Sequence, residues 1–317
     1  MRCVVGIDSG GSYTRVLCVG LDGRILGRGR NAGGSPTHNV DARQHVRAAL
    51  TEALAAARVE ARDVVGLASG MAGFESDADR EWAADFVGVE GLDCPLHLVN
   101  DSVVAHAGAF AGGPGIMVVA GTGSMILAIT ESGEHIRNER YHHYAGGARH
   151  LAFDAVARVL IDEDTTEDGG FVGELLSFWD VPDKAGLRDR VAAMESADRN
   201  EVKHFYGRIA PLVTGWAEDS PLASAACRKL ARATAVGVRL LGAHFAADRV
   251  GVATEGGLAA CAPFSDRLRA EAGPRYELRP ARLEPVAGAA LLALEAAGVP
   301  IDAALLERLE VQPPVPA

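Results

Sequence analysis

Two short glycine and hydroxyl stretches and one carboxylate carry most of the chemistry that these 317 residues offer. In the first stretch, the apolar residues 4–7 drive into Asp8-Ser9-Gly10-Gly11-Ser12-Tyr13-Thr14, and an apolar run resumes at 16–19. In the second, apolar residues 115–120 and 125–129 flank Gly121-Thr122-Gly123-Ser124. Each reads as strand, polar bend, strand. Glycines let successive backbone amides turn toward one point, and a row of amides flanked by hydroxyls makes an anion nest of phosphate size. An ordinary hairpin turn uses the same residues. It is the repetition, one bend in each half of the chain, that points to a pair clamping the phosphates of a nucleotide. Neither bend is followed by Gly-Lys-Ser/Thr and a helix, unlike the P-loop, and neither opens directly onto a helix, unlike the dinucleotide fingerprint.

The carboxylate is Asp101. Residues 95–99 read as a strand that ends in Asn100-Asp101, and Ser102 begins an alanine-rich helix reaching residue 110. A carboxylate at the C-terminal end of a parallel strand, beside a helix start, lies where α/β folds hold their ligands. An N-cap role for Asp101 or Ser102 explains the residue types as well. The second glycine bend follows shortly afterward in the chain, which favours catalysis.

The elements that must position these groups follow from periodicity. Residues 25–28 form a third strand, and the loop 31–39, NAGGSPTHN, is dense in turn formers. Its Thr37, His38 and Asn39 either face a ligand or, the preferred reading, cap the helix 41–57 or lie on the surface. A strand at 64–68 runs into a small-residue turn at 69–74, and a polar helix follows near 77–86. Helices at 152–160, 172–179, 187–194, 201–216 and 221–246 make an all-helical insert, whose length suits a lid or a dimer surface. Residues 249–258 give a strand and then Thr254-Glu255-Gly256-Gly257. Paired glycines there either let a flat ring such as adenine pack closely or simply turn the chain. A small-residue helix from 285 allows a close helix crossing.

The stretch 130–150 is the least legible. Arg137, Arg140, His142, His143, Arg149 and His150 make it locally cationic, and a solvated, mobile loop is the expectation. Its histidines lack an i, i+4 pair or a carboxylate partner, which argues against a metal site.

Composition narrows the rest. Residues are 48% hydrophobic and 23% charged, as in a soluble globular protein with room for two domains. A net charge of -11 argues against nucleic acid and anionic membrane as partners. Five scattered cysteines, Cys3, Cys18, Cys94, Cys227 and Cys261, have neither metal nor redox spacing and read as reduced core residues. No leader and no apolar run of membrane-spanning length is seen, so the cytoplasm is expected. Disorder is expected only in the proline-bearing tail, 311–317.

In this order the motifs resemble the BadF/BadG/BcrA/BcrD-type ATPase family, which includes N-acetylglucosamine and glucosamine kinases. The family's first phosphate turn reads roughly D-G-G-G-T-K-T, here Asp8 to Thr14. Its N-D-A is similar to Asn100-Asp101-Ser102, and its A-G-T-G-S is unbroken at residues 120–124. Thr254 to Leu258 resembles the adenosine motif, and residues 288–293, GAALLA, the closing helix. The resemblance implies an α/β fold of two ribonuclease-H-like (actin-like ATPase) domains with an interdomain cleft and a helical insert in the second. Residues 1–112, joined by the helix 288–310, would form the first domain. Residues 113–287 would form the second, with the insert at about 152–246.

The same resemblance implies ATP and Mg²⁺ as cofactors. Asp8 would order the metal, with Gly10, Gly11, Ser12 and Thr14 on the phosphates. Gly121, Thr122, Gly123 and Ser124 would hold their other side, and Gly256 and Gly257 would lie against the adenosine. Asp101 would be the general base for an attacking sugar hydroxyl, because phosphoryl transfer needs mainly positioning and charge neutralisation. The acceptor would draw on Thr37, Asn100, Asp101, Gly146, Gly147 and Arg149. A small-molecule sugar substrate and a homodimer complete the expectation.

Two departures stand out. Tyr13 replaces the family's frequent lysine. Where family kinases carry G-W-G and G-D-E-G-S, this chain has His142-His143-Tyr144-Ala145-Gly146-Gly147-Ala148-Arg149, so carboxylates give way to bases. An anionic acceptor, such as a lactyl-bearing amino sugar read by Arg149, fits that reversal. The competing expectation is a nucleotide-binding regulatory or scaffold protein with a degenerate acceptor site. The dehydratase-activator branch needs cluster-binding cysteines in glycine-flanked loops, and these cysteines are not so placed.

Overall fold

The computed structural model describes residues 1–121 and 124–310. The chain divides into two units, Met1–Met117 with Pro280–Ala317, and Val118–Arg279. Elements are numbered in chain order.

The first unit is built on a sheet of β1 (Cys3–Ser9), β2 (Tyr13–Gly20), β3 (Ile25–Ala32), β4 (Val64–Met71) and β5 (Leu96–Asn100). Their spatial order is β3-β2-β1-β4-β5. The β1/β2 and β2/β3 pairs are antiparallel, whereas β1/β4 and β4/β5 are parallel. Every residue of β1 is buried, as a central strand with helices on both faces requires. One face packs Val5, Ile7, Leu67 and Met71 with Val46 and Leu50 of α1 (Ala42–Ala57) and Ala83 of α2 (Arg80–Val87). The other packs Val4, Leu17 and Ala68 with Leu291 and Leu294 of α11 (Pro285–Ala296) and Leu305 of α12 (Ala303–Glu310).

Helix α3 (Asp101–Phe110) lies against α11 at Gly288, where a Cβ would meet the Val104 carbonyl oxygen at 2.2 Å and the Gly108 nitrogen at 2.3 Å. The close crossing expected of that small-residue helix is therefore present, and it holds the first residue of α3 relative to the sheet.

The second unit's sheet has the order β10-β9-β6-β7-β8, from β6 (Gly115–Ala120), β7 (Ser124–Ile129), β8 (His135–Arg137), β9 (Val250–Glu255) and β10 (Tyr276–Leu278). Counted from its own first strand, this is the succession of the first sheet again. Around it lie α4 (Ala148–Leu160), α5 (Gly169–Phe178), α6 (Lys184–Ala192), α7 (Arg199–Gly207), α8 (Ala210–Gly215), α9 (Pro221–Gly242) and α10 (Ala262–Ala272).

Three expectations need correction here. The single helix expected over 201–216 is two, α7 and α8, with Pro211 in the first turn of α8. Proline has no N–H to continue the preceding helix and suits a new first turn. Helix α9 stops at Gly242 rather than 246. The stretch 130–150 is not simply solvated loop, because β8 and a 3₁₀ turn at Asn138–Tyr141 occupy part of it. The Asn138 side chain is buried, accepting from the Ile126 amide at 2.9 Å and donating to the His143 carbonyl at 2.8 Å, and so ties the stretch to β7.

The cysteines are free thiols, all buried except the half-buried Cys94. Folding brings two pairs together that their spacing does not suggest. Cys3 and Cys18 lie 3.3 Å apart across β1 and β2, and Cys227 meets Cys261. Their hydrogen bond holds the Cys261 thiol down, at about 7. Among the described residues, no helix is long and apolar enough to cross a membrane. The expectation for residues 311–317 lies outside the described residues.

Candidate active site

In the first unit, β1 delivers Asp8 to the mouth of the bend. The Gly10 amide donates to the Tyr13 carbonyl at 2.9 Å, closing the turn. Asp8 is buried, and Arg15 Nη1 lies 3.2 Å from its Oδ2. Burial pushes the Asp8 carboxyl above its ordinary range; Arg15 pulls it back, and Glu284 adds to the rise. Ser12 is exposed, whereas Thr14 is buried with its Oγ1 3.4 Å from Ser9 Oγ. Thr14 therefore braces the bend from below, and Ser12 lies at the surface.

A second loop holds this bend in place. Asn39 Nδ2 donates to the Gly11 carbonyl at 3.0 Å, and the Gly34 amide donates to the Gly10 carbonyl at 3.1 Å. The His38 ring lies beside Gly11. Ser35 Oγ, Thr37 Oγ1 and His38 Nδ1 are mutually 2.9 Å apart. Of the preferred reading, capping or surface, the fold keeps the surface part at the exposed Thr37 and not the capping part. Asp41 is the N-cap residue of α1, and it makes no side-chain cap bond.

Strand register places Asp101 on the same edge as Asp8. Asp8 pairs with Gly70 and Gly70 with Val99; Ser9 pairs with Met71 and Met71 with Asn100. Two strand spacings put the Asp8 and Val99 backbones about 10 Å apart, and Asp101 follows two residues on at the same edge. Asn100 is buried, and its Oδ1 accepts from the Ser102 amide at 3.0 Å and the Ser102 hydroxyl at 2.6 Å. Its Nδ2 donates to the Phe74 carbonyl at 2.9 Å and to Glu75 Oε1 at 3.4 Å. The N-cap of α3 is thus Asn100, so neither Asp101 nor Ser102 is needed as a cap. Asp101 is the half-buried first residue of the helix, where the dipole favours a carboxylate.

In the second unit, the Gly121 carbonyl accepts from the Ala148 amide at 2.8 Å, fastening the bend to the start of α4. Gly256 has φ +102° and ψ 170°, and a Cβ there would fall 2.6 Å from the Ala120 carbonyl oxygen and 2.9 Å from the Gly121 nitrogen. Only glycine serves this backbone and this approach. Gly257 borders open space, and half-buried Ser124 opens β7. The fold therefore brings Gly121, Gly256 and Gly147, the N-cap of α4, into one neighbourhood. Thr122 and Gly123 lie outside the described residues.

On the acceptor stretch, Gly146 has φ +92° beneath His150 and Leu230. The Gly147 amide donates to His150 Nδ1 at 3.2 Å. Burial and the neighbouring Arg149 both push the His150 imidazole down. Arg149 is half-buried, with no hydrogen bond or ion pair to a described residue. Among the described residues, no three His, Cys, Asp or Glu side chains converge to hold a metal by themselves.

Sequence reasoning passed over Arg15, Asn39 as a brace, and Asn138. Arg15 had a signal, since it stands two residues from Tyr13 on β2 and directly opposite Asp8. Arg30 lies 4.4 Å over the Tyr13 ring, so this arginine stacks on the tyrosine that replaces the family lysine.

Residues 5–149 match the model of the BadF/BadG/BcrA/BcrD ATPase family, the family the motifs resemble. Over 149 residues the chain is 27% identical to the N-acetylmuramic acid/N-acetylglucosamine kinase of Clostridium acetobutylicum, covering 46% of this chain. That match spans about half, 48%, of the relative's length. Among solved structures, a candidate N-acetylglucosamine kinase from Chromobacterium violaceum aligns over 93% of this chain and 99% of its own. Its TM-score is 0.71 at 24% identity. A ROK family glucokinase from Streptomyces griseus, solved with glucose and AMPPNP, aligns over 92% of this chain and 98% of its own, with TM-score 0.61 at 20% identity. The α/β fold expected from the motifs is thus the one these kinases share.

Proposed function

We propose that this chain transfers the γ-phosphoryl group of ATP to a hydroxyl of an amino sugar that carries a carboxylate. The observation that carries the reading is the strand register that sets Asp8 and Asp101 on one edge of one sheet, two strands or about 10 Å across the sheet from each other, with the braced glycine bend after Asp8. That spacing leaves room for a phosphoryl group and an attacking oxygen.

In this reading Asp101 accepts the proton of the attacking hydroxyl as its oxygen bonds to the γ-phosphorus. The bond from that phosphorus to the β,γ-bridging oxygen breaks, and ADP leaves. The amides of Gly11 and Ser12 hold phosphate oxygens in the first unit, on the turn that the Gly10 amide closes. Gly121 and Ser124 do so in the second, and Gly257 borders the adenosine. Asp8 is suited to a Mg²⁺ ion, because Mg²⁺ takes one or two carboxylates plus substrate phosphates rather than a full protein cage. Once bound, the ion neutralises charge on the β- and γ-phosphates. Burial raises the cost of a lone charge on Asp8, so a cation there would be welcome, and Arg15 offsets part of that cost.

Arg149 supports the acceptor assignment, since its half-buried guanidinium lacks a partner among the described residues. The name of the Clostridium relative includes N-acetylmuramic acid, whose lactyl carboxylate is the kind of group a guanidinium forks onto. Asn100, whose amide is fully engaged, positions Asp101 rather than meeting the sugar.

The test is product formation, followed as a phosphomonoester by ³¹P NMR, from ATP with N-acetylmuramic acid or N-acetylglucosamine. The expected result is ester from both, with Arg149→Ala losing at least about tenfold more rate on the acidic sugar. Equal losses on the two would remove the carboxylate from the proposal. ATP binding without ester from any sugar would favour a nucleotide-binding regulator.

A further inference from the structure

A basic groove in the second unit lies outside the bends and the acceptor stretch. Arg158 of α4, Ala225, Arg228, Lys229 and Arg232 of α9, and Arg267 of α10 line a cavity of about 490 Å³. The α9 residues recur at helical spacing, so one face of that helix carries three cations around the small floor of Ala225. This cationic concentration sits in a chain of net charge -11.

The acidic residues nearby do not exhaust it. Asp154 is shared by Lys229 and by Arg158, whose Nε lies at 2.8 Å. Arg158 also reaches Glu163 at 2.7 Å. Glu271 is shared by Arg267 and by Arg232, at 3.0 Å. Hydrogen bonds from Arg232, then the two arginine charges, hold Glu271 below the ordinary carboxylate range. Three carboxylates therefore face five cations. Arg228 has a hydroxyl for a partner, Ser224 Oγ at 2.6 Å, and no carboxylate. Arg267 is half-buried, and its Nε is buried with no hydrogen-bond partner among the described residues.

We infer that this groove is a binding site for a small phosphate-bearing anion, held by the forks of Arg228 and Arg267 with Arg232 and Lys229 at the rim. Two uncompensated positive charges match a phosphate dianion, and arginine forks match its oxygens bidentately. A cavity of this volume accommodates a ligand of sugar-phosphate size. Because α4 runs from Ala148, bonded to Gly121, to the region of Arg158, the groove and the second glycine bend share one helix. The inference does not depend on the kinase reading.

The experiment is calorimetric titration of the full chain with inorganic pyrophosphate and, separately, with glucosamine 6-phosphate, at low and moderate salt. The wild-type protein is expected to bind at least one of them saturably, more weakly as salt rises. Tighter binding in one arm identifies inorganic anion or ester as the source. Arg228→Glu and Arg267→Ala should each weaken binding at least about tenfold, while Arg228→Lys, which keeps the charge and loses the fork, should fall between wild type and Arg228→Glu. Arg228→Ala breaks only the bond to Ser224, so it serves as the folded variant should the charge reversal unfold. Absence of saturable binding in both arms, or affinities unchanged in Arg228→Ala and Arg267→Ala, overturns the assignment.

Discussion

Replacing Gly256 by alanine asks whether the second glycine bend is built on backbone contact. At φ +102° and ψ 170° the residue occupies a region open essentially to glycine alone, and an L-residue held there costs about 1–3 kcal/mol. The added Cβ would sit 2.6 Å from the Ala120 carbonyl oxygen, where ordinary contact begins near 3.4 Å. β6 and the Gly256 turn must part by most of an ångström, an overpacking cost of about 1–3 kcal/mol. The two effects together come to about 2–6 kcal/mol, against a typical domain stability of about 5–15 kcal/mol. For a unit of this size that is a fall of roughly 5–20 °C in the thermal midpoint. Gly257→Ala is the matched control, one residue away with nothing within 4 Å of its Cβ and no positive φ. Circular dichroism melts and AMPPNP titrations on both variants decide the matter. Gly256→Ala should lose stability and nucleotide affinity, and Gly257→Ala should lose little stability. Equal midpoints in the two variants would refute the packing argument.

Other expectations follow from the first unit. Asn100→Ala removes the cap of α3 and the donor to the Phe74 carbonyl, so a loss of about 2–3 kcal/mol is expected in urea unfolding. An unchanged midpoint would deny Asn100 that role. Asp8 has a raised folded-state pKa, with burial the leading cause, so its ionised form costs stability above that pKa and nothing below the unfolded value. Asp8→Asn should therefore be at least as stable as wild type at neutral pH, and the difference should fade as pH drops through the raised pKa. Its Mg²⁺-dependent nucleotide binding should fail throughout. A variant less stable at pH 7 and equally unstable at pH 4 would contradict the burial argument.

Local chemistry was the legible part of this chain. The alternation of apolar runs with Asp8–Thr14 and Gly121–Ser124 marked the strands β1, β2, β6 and β7, and the small residues after Pro285 marked the helix that crosses α3 at Gly288. What stayed hidden depends on partners distant in sequence. Polarity suggested that residues 31–39 and 130–150 were surface. Yet Asn39 is spent on the Gly11 carbonyl, and Asn138 is buried beneath β7. A single buried amide leaves no periodic trace. Gly256 read as a place for a flat ring because its type was visible, whereas the Ala120 carbonyl it packs on lies more than a hundred residues away. The break between α7 and α8 could have been seen, since Pro211 was in plain view within the span assigned to one helix.

The central claim is that Asp101 deprotonates a sugar hydroxyl at the edge it shares with Asp8. The most direct measurement is ADP release with and without acceptor sugar, in wild type and Asp101→Asn, alongside AMPPNP affinity. The account predicts sugar-dependent ADP release by wild type and a variant that binds nucleotide within about twofold while turning over at least about a hundredfold more slowly. Near-normal turnover in Asp101→Asn, or ADP release by wild type that is indifferent to sugar, would contradict it.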